Sequence, residues 1–156
     1  MNVDDRSLAR QVLDDAFWLN GFPPDLSDQL VAEGRLIRLN GGEWAQAEGD
    51  DRGGLFIVVK GSLHTYCAAT GDRVVMIGVV GPGAVLGHAT PYSGGPRLVT
   101  AVCVEPSVLL EISVPALDRI SVQFPEIWRA IASFAYAHTR GALRMAAEVI
   151  SLRPRQ

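Results

Sequence analysis

The sequence predicts an α+β fold, with an antiparallel β sandwich or barrel-like jelly roll held between helical segments at its two ends. Three observations predict it. From Arg35 to about Val114, short β-rich runs alternate with glycine turns and no helical pattern intervenes. Residues 1–34 and 115–153 instead repeat their apolar residues at helical spacing. The chain carries neither a Rossmann fingerprint nor a Walker loop, so nothing supports a parallel α/β sheet. At 156 residues it is read as one domain, 1–156, long enough to bury a core.

Each element follows from its residues. In "DRSLARQVLDDAFWLNGF", Leu8, Val12, Leu13, Ala16 and Phe17 share one helical face. Gly21 and the Pro23-Pro24 pair stop that helix, and Asp25 is placed to cap a second one, "DLSDQLVAEG", that ends at Gly34. The strands are "RLIRL", "LFIVVKG", "SLHTYCAA", "RVVMIGVV", "LVTAVCVE" and "SVLLEIS". Between them "NGGEW", "EGDDRGG", "ATGDR", "GPG" and "EPS" are turn signals. Ser113 can cap a short helix whose first turn tolerates Pro115. Phe124-Pro125 then opens a long helix running to about Leu152, with Pro154 beyond it. Along it Ile131, Ala135, His138, Ala142, Met145, Val149 and Leu152 recur at steps of four and three, a narrow heptad seam. The seam outruns what a small β domain can cover, and Ala135, Gly141 and Ala142 permit close approach. A homodimer through this helix is expected, the alternative being a helix lying on its own sheet.

Composition narrows the function. With 48% hydrophobic and 20% charged residues the chain is globular rather than disordered. A net charge of −3 does not support a free-standing nucleic-acid binder. Cys67 and Cys103 sit in apolar runs without a partner at metal-ligand spacing and are expected as buried free thiols. The charged start "MNVDDRSLARQV" is no secretory signal, and no apolar run reaches the length of a membrane span. A cytoplasmic protein with no membrane contact is expected. His64, His88 and His138 lie in different elements, with no HxH pair, so a cupin-like metal site is disfavoured and no metal is assigned. The same scatter disfavours haem, and two isolated cysteines exclude an iron–sulfur cluster. Ser93 in "YSGGP" reads as a turn, and no catalytic constellation is found.

The order of the turns is more specific. Gly42-Glu43, Gly49-Asp50, Gly61, Gly81-Pro82-Gly83, Gly87 and Arg97, read with the long helix after Phe124-Pro125, resemble the cyclic-nucleotide-binding domain of the catabolite activator (Crp/Fnr) family over about a hundred residues. The resemblance implies a jelly roll that binds a small ligand and joins two-fold through its C-terminal helix. It makes "GAVLGHATPYSGGPRLVTA", residues 83–101, a phosphate-binding loop. There backbone N–H groups and the forked guanidinium of Arg97 would grip an anion, and glycine would let the backbone approach it. The bland alternative for Arg97 is a structural arginine bonding loop carbonyls. The implied ligand site comprises Gly87, His88, Ala89, Pro96, Arg97 and Leu98 from the loop, with His138, Ala142 and Leu143 from the helix.

Three departures from the family pattern stand out. His88 replaces the glutamate that accepts the ribose hydroxyl, and Leu98 replaces the hydroxyl residue after the arginine. Ala142 and Leu143 replace the hydroxyl pair that reaches adenine. The lost hydrogen bonds, about 1 kcal/mol each or about 1.5–3 where charged, would weaken cAMP by orders of magnitude. Either His88 is packed at a strand end, or a partly protonated His88 joins Arg97 in favouring a more anionic ligand. The chain stops at "ISLRPRQ", with Arg153, Pro154 and Arg155 resembling the connector to a DNA-reading module. The function expected is the ligand-sensing, dimerising effector domain of a Crp/Fnr-type transcription regulator. It would take a cyclic nucleotide or another small anion, need no cofactor and reach DNA only through a downstream module. The alternatives are a dimeric scaffold with a vestigial pocket and a cupin-like enzyme.

Overall fold

A computed structural model describes residues 3–51, 53–90, 93–152 and Pro154, with the side chains of Val3 and Asp4 left out. Arg153 and Arg155 of the expected connector lie outside the described residues. Among the described residues, eight strands form two four-stranded antiparallel sheets. The strands are β1 (Arg35–Leu39), β2 (Trp44–Gln46), β3 (Leu55–Lys60), β4 (Leu63–Ala69), β5 (Arg73–Val80), β6 (Val85–Leu86), β7 (Thr100–Cys103) and β8 (Ser107–Ile112). One sheet runs in the order β1-β8-β3-β6 and the other β2-β7-β4-β5. The helices are α1 (Val3–Asp15), α2 (Pro24–Glu33), α3 (Val114–Gln123) and α4 (Ile127–Ser151), with a 3₁₀ turn at Phe17–Leu19.

The continuous apolar runs of β3 and β8 are explained by their central position in the first sheet, where both faces are covered. On the inner face, Phe56, Val58 and Leu109 meet Leu63, Ala101 and Cys103 of the opposite sheet. On the outer face, Leu55, Ile57, Leu110 and Ile112 meet Leu13, Leu26, Leu30, Leu117, Ile120 and Ile127 from the helices. The helical ends therefore form one cap on one sheet, brought together by the strands between them.

Local expectations need four corrections. Phe17 is 55% exposed, and Trp18 and Leu19 are buried in its place. The helix ends at Asp15, and Ala16 is extended, which rotates the following side chains off the α-helical register. Asp25 sits inside the first turn of α2, because Pro24 takes the first helical position and Pro23 the cap. Two strands, β2 and β6, lie where no strand was expected, β2 at the edge of the NGGEW turn and β6 inside the 83–101 loop, and are too short for a period-two pattern. Cys103 is a buried free thiol as expected, but Cys67 is only half-buried and donates from Sγ to the Leu98 carbonyl at 3.4 Å. The Ser113 cap holds, its hydroxyl accepting from the Ala116 N–H at 3.2 Å.

Only the first turns of α4 lie on the domain. Ile127, Ala130 and Ile131 are buried, and every residue from His138 to Leu152 is exposed. Of the seam, Ile131 therefore belongs to the core, Ala135 is half-buried, and His138, Ala142, Met145, Val149 and Leu152 face solvent.

Candidate functional site

The site is assembled around Arg97, which is only 4% exposed although it lies in a loop. Its backbone is clamped first: Arg97 N–H donates to the Asp50 carbonyl at 2.8 Å, and its own carbonyl accepts from Gly49 N–H at 2.8 Å. Its side chain then passes over the Phe56 ring, the guanidinium carbon lying 5.4 Å from the centroid. Nη1 donates to the Gly54 carbonyl at 2.8 Å and Nη2 to the Gly53 carbonyl at 3.2 Å. A cation in a partly apolar interior is costly unless hydrogen-bonded, and these carbonyls supply that bonding without cancelling the charge. The glycine pair read only as a turn is thus the support of the arginine.

Gly87 is the second fixed point. It has φ of +81°, and an added Cβ would overlap Arg97 Nη1 and come within 2.7 Å of the Gly54 carbonyl oxygen. Only glycine accepts both the backbone angle and the approach. The turn after it is closed by buried Thr90, whose hydroxyl and N–H both donate to the Gly87 carbonyl, at 2.9 and 3.2 Å. From the helical cap, Trp18 Nε1 donates to the Gly83 carbonyl at 3.1 Å and pins the start of the loop. Thr90 and Trp18 were not anticipated as site residues, since their partners are far in sequence or chemically anonymous carbonyls.

His88 turns toward α4 instead of toward Arg97's carbonyls. Its ring lies edge-on to Phe134 at 5.0 Å and to His138 at 4.9 Å between centroids, and Nδ1 is buried without a hydrogen-bond partner. Burial, helped by the neighbouring His138, pushes its pKa down to about 4, with a backbone hydrogen bond at Val85 acting weakly in the opposite direction. The ring is therefore neutral near pH 7, and the expectation of a partly protonated His88 reinforcing Arg97 is corrected: desolvation disfavours the charged form.

This burial makes a pH prediction. A histidine whose folded pKa falls from 6.5 to about 4 leaves folding stability intact above pH 6.5 and lowers it progressively as pH drops toward 4. Between those limits the unfolded ring binds a proton that the folded ring does not. Allowing for partial exposure, the loss is about 1–2 kcal/mol. In His88→Phe, the fall in urea midpoint from about pH 7 to about pH 5 shrinks correspondingly. An unchanged slope would contradict a buried neutral ring.

The other expected site residues are scattered. Ala89 and Pro96 are exposed, and Leu98 is 61% exposed. Ala142 and Leu143 lie about one turn beyond His138 on the solvated part of α4. The structure thus brings together Gly87 with Arg97, and His88 with His138. Among the described residues no three of His, Cys, Asp or Glu converge as a metal site. No described helix is long and apolar enough to cross a membrane.

A two-sheet roll carrying a glycine-rich loop over a buried arginine, followed by a projecting helix, defines a ligand-binding class of jelly roll. The family model for the cyclic nucleotide-binding domain matches residues 36–123, and the chain belongs to that family. Among curated proteins it is similar to the Pycsar effector protein XpPycTIR of Xanthomonas perforans, at 28% identity over 110 residues, 70% of this chain and 35% of that protein. It thus spans about a third of that relative. Among solved structures it resembles a cyclic nucleotide-binding domain from Methylobacillus flagellatus, with TM-score 0.78, 16% identity, and coverage of 98% of this chain and 86% of that one. It also resembles the catabolite activator protein of Thermus thermophilus, with TM-score 0.71, 21% identity, and coverage of 86% and 62% respectively. At these identities the two structures speak to the fold alone.

Proposed function

We propose that this chain is a ligand-sensing domain that binds a cyclic nucleoside monophosphate at the 83–101 loop and signals through α4. The observation that carries the reading is the Arg97 guanidinium, buried against Gly87 and held by two carbonyls. A buried cation under a glycine-rich loop is suited to an anion, and with His88 neutral the loop offers one full positive charge to one phosphodiester charge. His88 turns to α4, and the exposed Ala142 and Leu143 offer no hydroxyl, so the base is not assigned to adenine. Calorimetric titration with the four cyclic nucleoside monophosphates, beside inorganic phosphate as the anion control, tests this. Saturable binding of at least one nucleotide is expected. Binding of phosphate alone, or of neither, would overturn the nucleotide reading and leave the vestigial-pocket scaffold.

His88, packed on Phe134 and His138, links the loop to α4, so ligand that moves the loop would re-aim the helix. The exposed apolar side chains of Met145, Val149 and Leu152 support dimerisation along the seam. Each is worth about 1.5–3 kcal/mol when buried, so Met145→Asp with Val149→Asp is expected to convert a dimer to a monomer in solution-mass measurements. A wild-type monomer at all concentrations would refute the seam. The output reading is the sensor half of a Crp/Fnr-type transcription regulator, acting on DNA through a joined module. The similarity to a protein named as an effector favours a second output, a joined effector module instead.

A further inference from the structure

The projecting part of α4 carries more apolar surface than one seam can cover. Tyr136, Leu143 and Ile150 are 70%, 66% and 64% exposed. Each follows the last by two helical turns, about 10.5 Å along the axis. At about 100° per residue they form a second stripe, about 140° round the helix from the His138–Leu152 seam. Between the two stripes lie only the smaller Thr139 and Ala146, while Arg140, Arg144 and Glu148 share the remaining side. A helix lying on a globular core needs an apolar stripe of about 100°, whereas the apolar arc here spans about 200°. We infer that the second stripe is an interface with α4 of another copy of the chain, running antiparallel, so that seam dimers join tail to tail into tetramers or larger assemblies.

Three observations select another copy as the occupant. The first is area. At about 100 Å² per large apolar side chain, Met145, Val149 and Leu152 with their small neighbours hide about 400 Å² per copy, below the about 600–1,000 Å² of a stable interface. With Tyr136, Leu143 and Ile150 added, the same helix hides about 800 Å², which lies within that range. The second is self-complementarity. The stripe is symmetric about Leu143, so a twofold axis there sets Leu143 against its own copy and Tyr136 against Ile150 on both sides. The third is direction. Ile127, Ala130 and Ile131 bury the start of α4 in the domain, and every residue from His138 to Leu152 is exposed. An antiparallel helix carries its own jelly roll to the far end, whereas a parallel one would bring it level with those already there.

The inference rests on the seam dimer proposed above, and its test separates the two. Sedimentation equilibrium on the full chain from ~10 μM to ~1 mM is expected to show a mass that rises past the dimer. Leu143→Asp with Ile150→Asp changes only exposed side chains, so the domain stays folded and the mass is expected to stop at the dimer. Met145→Asp with Val149→Asp is expected to leave a monomer. In a Cys67→Ser background under mild oxidation, Tyr136→Cys mixed with Ile150→Cys is expected to cross-link, and Tyr136→Cys alone is not. A wild-type chain that remains a dimer at ~1 mM overturns this inference and retains the seam, leaving the stripe to a different partner. A wild-type monomer overturns both. A mass above the dimer that persists in Leu143→Asp with Ile150→Asp, or Tyr136→Cys cross-linking to itself, also overturns the antiparallel stripe.

Discussion

Replacing Arg97 by alanine is expected to abolish anion binding at the 83–101 loop and to destabilise the fold by about 2–4 kcal/mol. The stability loss arises because the Gly53 and Gly54 carbonyls lose a charged donor, and each such bond is worth about 1.5–3 kcal/mol. The space left above Phe56 adds a cavity contribution in the same direction. The binding loss is expected to exceed about 100-fold, because a desolvated charge is removed from the phosphate contact itself. Arg97→Lys separates the two: it keeps the charge and loses the forked pair of donors, so it should bind weakly and remain folded. Calorimetry and urea unfolding on the three proteins are sufficient. Undiminished nucleotide binding in folded Arg97→Ala would limit Arg97 to a structural role.

Gly87→Ala is expected to cost about 2–4 kcal/mol, more than any other single methyl group added to the loop. Two effects add. An alanine at φ of +81° is strained, at about 1–2 kcal/mol. Its Cβ also overlaps the guanidinium of Arg97 and presses on the Gly54 carbonyl, so the arginine must leave its carbonyls. Gly94→Ala is the control, since Gly94 has φ of +72° and nothing within 4 Å of an added Cβ. It should lose only the backbone share, about 1 kcal/mol. Equal losses at the two positions in thermal unfolding would show that the contact between Gly87 and Arg97 carries no energy.

The zones of the fold were legible because they rest on local patterns. Alternating and continuous β-branched runs marked six of the eight described strands, and the Ser113 cap followed by Pro115 marked the switch to helix. The two missed strands, β2 and β6, exist because β7 and β3 supply their hydrogen bonds, and three- and two-residue segments have no periodicity to read. Phe17 and Trp18 show the same limit in a helix. The residue that is buried there depends on where the helix stops, and one extended residue at Ala16 decided it.

The site was legible in part. Arg97 and Gly87 were found from the order of the turns, but the reason they belong together is a contact of guanidinium on bare backbone. No sequence pattern states that contact. The charge of His88 could not be read at all, because it depends on Phe134 and His138, which lie about fifty residues away on α4.

By itself the sequence determined the helices, six of the eight described strands, their order, the family and the arginine of the loop, because propensity, periodicity and turn chemistry act over a few residues. Tertiary structure alone decided which carbonyls hold that arginine, that His88 stays neutral, and that α4 leaves the domain only beyond Phe134 and His138. Each of these depends on desolvation or on contact between segments distant in the chain, and neither has a local signature in the residues that experience it.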